Sequence, residues 1–206
     1  MTAVRERFDE RRFPSLAAYL RPLPAGLASF PECQVKAVFV HSVLSDYPLQ
    51  QASEQLPAAL AELLQHLPPS TAWISEVHFH ALLRVLRDLH FATDAALVAW
   101  SYGSQYKLLG GPLYRVMFAL LSPERVVRLA PQRWAHFHRG LWLEVTAASG
   151  RAMGTLHHPP YLYQRLDHEL SLAGMRAVIE LAGGRSVRTE IEDTSPTQSR
   201  SLLTWT

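Results

Sequence analysis

The chain has 206 residues, 48% of them hydrophobic and 18% charged, with a net charge of +2. That is too apolar for a disordered tail, and the near-balance of charge announces no strong field for a polyanionic partner. A lone cysteine, Cys33, excludes an intrachain disulfide, and no stretch approaches the ~18 consecutive apolar residues of a membrane helix.

Arginine outnumbers lysine heavily (Lys36 and Lys107 are the two lysines), a bias expected from GC-rich base composition. The start of the sequence is charged with no apolar run behind it, so no secretory signal is read there and a cytoplasmic location is expected. Residues 1–34 read as an irregular arm, broken at Arg21-Pro22-Leu23-Pro24 and Phe30-Pro31. A single α+β domain is expected over 35–206, with a helical part at 35–139 and a sheet part at 140–206.

In the helical part, 35–47 carries apolar residues along one face. The span 49–67 repeats leucines, with Pro57 as a boundary. Ser75-Glu76 starts the next helix, with Ser75 as N-cap and Glu76 in the first turn, and its core stripe is Leu82, Val85, Leu86 and Leu89. On this helix His78 is placed with the core stripe and His80 on the polar side with Arg84 and Arg87. Thr93-Asp94 caps a further helix that ends at Gly110-Gly111-Pro112. The span 113–121 is strongly apolar. Ser122-Pro123-Glu124 is a helix start, and Pro131 is read as its stop.

After Gly140 the pattern alternates. Spans 141–146 and 152–156 read as a hairpin about Ser149-Gly150. A long amphipathic helix follows at 166–181, where Gly174 is read as a close approach to the sheet and Gly183-Gly184 as its C-cap. Two strands complete the chain. The plan is a helical N-terminal bundle followed by a β-β-α-β-β small antiparallel sheet, and segregated strands make it α+β.

Catalytic and metal motifs are sparse. The histidine pairs His78/His80, His136/His138 and His157/His158 lack ligand spacing with carboxylates, and His168-Glu169 is not the zinc-protease pattern. No nucleophile elbow or phosphate-binding loop is present. Cys33 reads as a buried or incidental thiol. The stretch from Trp100 through Tyr102, Gly103 and Tyr106 to Tyr114 alternates aromatic and small residues, a composition suited to an apolar pocket with a few hydroxyls.

Several features together carry a resemblance: the Trp100-x-Tyr102-Gly103 helix, Leu121-Ser122-Pro123-Glu124-Arg125, Trp134, Leu172-Ala173-Gly174-Met175, Glu180-Leu181-Ala182-Gly183-Gly184, Val187 and Leu203-Thr204-Trp205. From about Val35 to Trp205 the chain resembles a paralogous myxobacterial family, itself similar to the 4-vinyl-reductase, haem-NO-binding and TRAPP domains. That resemblance implies a groove between a helical part and a small sheet, used in relatives for haem, lipids or other apolar ligands, or an outer surface used for dimerisation. The haem signature Tyr-x-Ser-x-Arg is met by Ala147-Ala148-Ser149-Gly150-Arg151, which keeps Ser149 and Arg151 as candidates and replaces the tyrosine. No histidine stands in 113–121, where the resemblance implies the iron ligand.

The expectation is therefore a non-catalytic module that binds a small apolar ligand or a protein partner, with no cofactor, no metal and no nucleic acid. A haem-based gas sensor and an enzyme with a spatially assembled His/Cys site are the alternatives. The edge of the last strand, ending at Thr206, is the expected surface for a second copy.

Overall fold

The computed structural model describes residues 8–111 and 121–206. Its residues are mixed α and β, with two antiparallel sheets, and they divide into two compact units. The first unit takes the described residues up to Thr93 together with Phe137–Gly140, and the second takes those of Asp94–His136 and Leu141–Thr206.

The first unit opens with α1 (Pro14–Leu20), inside the span read as an irregular arm. Two features order it. Phe13, Leu16 and Tyr19 are fully buried. The Asp88 carboxylate, far along the chain, accepts from the Ser15 and Leu16 amides at 2.9 and 3.2 Å, meeting the unpaired donors that every helix start exposes. Strand β1 (Gln34–Lys36) and helix α2 (Val38–Asp46) follow, so the expected helix start at Val35 is corrected to a strand. The leucine-rich span resolves into a 3₁₀ segment, Leu49–Gln55, and α3 (Ala58–Gln65), divided at Pro57. Strand β2 (Trp73–Ser75) leads straight into α4 (Glu76–His90). Ser75 caps α4 as expected, its hydroxyl accepting from the His78 amide at 3.4 Å.

A three-stranded sheet in the order β2-β1-β3 completes this unit, with β3 the short His138–Arg139. Val35 stands opposite Ile74 on one side and His138 on the other. The turn out of β3 needs glycine: Gly140 has φ +73, and a Cβ there would stand 2.8 Å from the Glu32 carbonyl and 2.9 Å from the Cys33 sulfur.

In the second unit α5 (Asp94–Leu109) lies against the long α8 (Arg165–Leu181). Between them in sequence come α6 (Pro123–Arg128) and α7 (Ala130–Phe137). Pro131 sits at the second position of α7 instead of stopping a helix. This is physically reasonable, since a first-turn residue has no intrahelical use for an amide hydrogen. The sheet holds β4 (Trp142–Ala148), β5 (Arg151–His157), β6 (Arg188–Ser195) and β7 (Gln198–Thr204) in the order β4-β5-β7-β6, all antiparallel. The last strand is therefore paired on both sides, which corrects the expectation that its edge is open to a second copy. The core packs Val127, Ala152, Ile179, Val187, Leu203 and Trp205 together, and the Trp205 indole donates to the Glu124 carboxylate at 3.1 Å.

Candidate functional site

The strand register creates the main candidate site. Opposite residues across three strands form a row Val145–Gly154–Ser201. Two of the three are small where the inner face of a sheet ordinarily presents a branched side chain. Next to it lies the row Leu143–Leu156–Ser199. Helix α8 covers this face with His168, Leu172 and Met175, one turn or so apart, and they do not fill the space that Gly154 and Ser201 leave. The result is a partly open cavity of about 80 Å³, lined from the other elements by Val127 and Trp134.

One end of the cavity is polar. The buried Ser199 hydroxyl and His168 Nδ1 are 3.0 Å apart. His158 and Tyr163 pack tilted against His168, each ring centroid 5.5 Å from the imidazole, and the His158 Nδ1–H donates to the Pro159 carbonyl at 2.9 Å. The N-terminus of α8 that presents His168 is fixed by a reciprocal cap, in which the Asp167 carboxylate accepts from the Gln164 amide at 2.8 Å.

The first unit contains a second polar centre. Glu76 is fully buried, and its carboxylate meets His80 Nε2 at 3.2 Å and His138 Nδ1 at 3.2 Å. Burial alone pushes this carboxyl up, but the two imidazoles more than offset that and hold it at about 2. Arg84 is also buried, its guanidinium 5.1 Å from the Tyr19 ring. The side of α4 that carries His80 and Arg84 is thus buried, with Glu76 and Tyr19 supplying polar and aromatic partners. Cys33 is buried as expected. Burial, then the Glu32 and Glu76 charges, push its thiol to about 12, so it is no nucleophile at neutral pH.

The residues singled out in the sequence lie elsewhere. Trp100 and Tyr102 are half-buried on α5, whereas Gly103 faces open space and Tyr106 is 40% exposed. Tyr114 lies outside the described residues, as does nearly all of the apolar span 113–121. Ser149 and Arg151 are exposed at the β4–β5 turn. None of the described ones lines the cavity. The Tyr102 hydroxyl instead donates to Glu180, which also holds Arg176 at 2.8 Å. Gly174 admits the Gln105 side chain of α5, so its close approach is to a helix and not to the sheet. A signal for the cavity did exist: a glycine in mid-strand, and serines at inward positions of β7. Among the described residues no group of three or more His, Cys, Asp and Glu is placed to hold a metal ion.

No protein-family model and no curated protein matches the chain. Solved structures do. A structure from work on haem distortion in the H-NOX family aligns over 82% of this chain and 92% of its own, at a TM-score of 0.55 and 7% identity. An oxygen-binding H-NOX domain related to soluble guanylate cyclases, in its oxygen complex, aligns over 82% and 91%, at 0.54 and 6%. A structure from work on H-NOX activation aligns over 82% and 93%, at 0.54 and 8%.

The fold is similar to that of H-NOX domains.

At such identities the likeness is one of fold. It nonetheless corrects the expectation of a domain without a cofactor, because H-NOX structures that share this fold are haem proteins by their own description. No described helix is long and apolar enough to cross a membrane.

Proposed function

We propose that the chain is a haem-based gas sensor, a non-catalytic module that passes ligand binding on to a protein partner in the cytoplasm. The observation that carries this reading is the H-NOX fold over four-fifths of the chain. The resemblance to 4-vinyl-reductase and TRAPP domains supports the same class of function, binding in place of catalysis. Among the histidines, His138 is held by Glu76, His157 stands by Glu144, and His168 lines the cavity.

The cavity under α8 does not fit the haem itself. At about 80 Å³ it is far below the ~300 Å³ at which ordinary cofactor pockets begin. His80 and His138 are turned onto Glu76 and His168 onto Ser199. Bound haem would supply an iron that takes a diatomic ligand. The cavity favours a second reading, in which a small apolar molecule is held by the protein directly.

Haemin titration tests the first reading. The expected result is a Soret band distinct from free haemin that saturates at one equivalent and shifts on addition of nitric oxide. A spectrum that stays that of free haemin, or haem that passes entirely to apomyoglobin on mixing, overturns it.

A further inference from the structure

We propose that β4 is the surface through which two copies of this chain pair, edge to edge, into one continuous sheet. The four-stranded sheet has two edges, β4 and β6, and they are built differently. β6 carries Arg188, Glu190, Glu192 and Asp193 and breaks register between Ile191 and Asp193. Charges and bulges are the devices that keep an edge from adding a strand. β4 has Glu144 as its single charge, no proline, and an unbroken register with β5 over its whole length, Trp142–Ala148. No strand among the described residues pairs with its other side, and Trp142 at its start is 58% exposed.

The hairpin sets which backbone groups face that open side. The turn Ser149-Gly150 joins Ala148 to Arg151, and a two-residue turn closes on a hydrogen-bonded pair. Trp142, Glu144, Thr146 and Ala148 therefore spend their backbone groups on β5, and Leu143, Val145 and Ala147 turn theirs outward. The Arg128 guanidinium, on the Ala147 carbonyl at 3.5 Å, already uses one of them. A second copy matches this edge. About a two-fold axis at Val145, antiparallel pairing sets Leu143 on Ala147, Glu144 on Thr146 and Trp142 on Ala148, so the whole strand is paired. The two largest side chains each meet an alanine, and the one charge meets a hydroxyl in place of its own copy. Such an edge is about 24 Å long. It belongs with the small, transient interfaces below ~1,200 Å², so the dimer is weak, and Arg128 releases the carbonyl when it forms.

Full-length protein without haem is followed by sedimentation velocity from about 1 μM to about 1 mM, so this test and the haemin titration fail separately. The expected result is a monomer–dimer equilibrium with a dissociation constant in the micromolar range or above. The Leu143 and Val145 amide hydrogens should exchange more slowly as concentration rises, while those of β6 stay unchanged. Thr146→Glu sets two like-charge pairs across the axis and should weaken the dimer about tenfold. Adding Glu144→Lys turns both into opposite-charge pairs and should restore it. Both positions are exposed, so neither change reaches the core. A monomer at every concentration overturns the proposal and leaves the edge to an extended segment of another protein. A dimer that Thr146→Glu leaves intact, one that the double variant fails to restore, or protection that appears along β6 overturns it as well.

Discussion

Glu76→Gln is the sharpest test of the reasoning about the first unit. The substitution keeps the shape of a fully buried side chain and removes its charge. In the native protein that charge receives two imidazole nitrogens at 3.2 Å, one from α4 and one from β3. A charge-assisted hydrogen bond exceeds a neutral one by about 1 kcal/mol, so two such bonds predict a loss of about 2 kcal/mol. The acidity gives a second route to the number. The carboxyl stands at about 2 in place of 4.5, and at about 1.4 kcal/mol per pH unit the difference amounts to about 3–4 kcal/mol. The direction follows from the depressed value: this stability is present above pH 4.5 and is lost as pH falls towards 2. Urea unfolding of both proteins at neutral pH and at steps down through that window reads it. The variant should be weaker by about 2–4 kcal/mol at pH 7, and the gap should close on acidification. Equal stability at pH 7, or parallel losses between pH 4.5 and 2, would refute the account.

Gly154→Ala should stabilise the second unit, by about 1–2 kcal/mol from strand preference and the burial of one methyl; a lowered melting temperature would contradict the space found there. The Cys33 thiol should react with a disulfide reagent only as fast as the protein unfolds, which stopped-flow labelling in graded urea would measure. In an ultraviolet titration Tyr102 should be among the last phenols to ionise, near 12, raised by burial and then by Glu180, and Tyr102→Phe should delete that step.

Elements with local punctuation were legible in the sequence. The Ser75 and Ser122 caps, the alternation of β4 and β5, and the stripe of α8 each specify themselves within a few residues. The sheet of the first unit was not, because strands of two or three residues carry no measurable period. It exists by pairing residues about forty and about a hundred positions apart. The burial of His80 and Arg84 was hidden for a related reason: a polar residue joins a core only when a distant partner satisfies it, and Tyr19 and His138 are distant. The cavity was signalled only by Gly154 and the serines of β7, because a void belongs to the register of three strands and to no single one. The pocket expected along Trp100–Tyr106 followed composition, yet the structure leaves Gly103 and Tyr106 facing outward.

The route of the chain through Phe137–Gly140 bears on how the protein can be taken apart. The first unit borrows β3 from a point more than forty residues beyond its own last helix. A gene cut after Thr93 therefore yields a fragment that lacks a sheet edge and has one imidazole, not two, on a buried carboxylate. Supplying a short peptide spanning residues 134–141 should restore its cooperative melting. The boundary between the units is one of packing, and no single scissile bond corresponds to it.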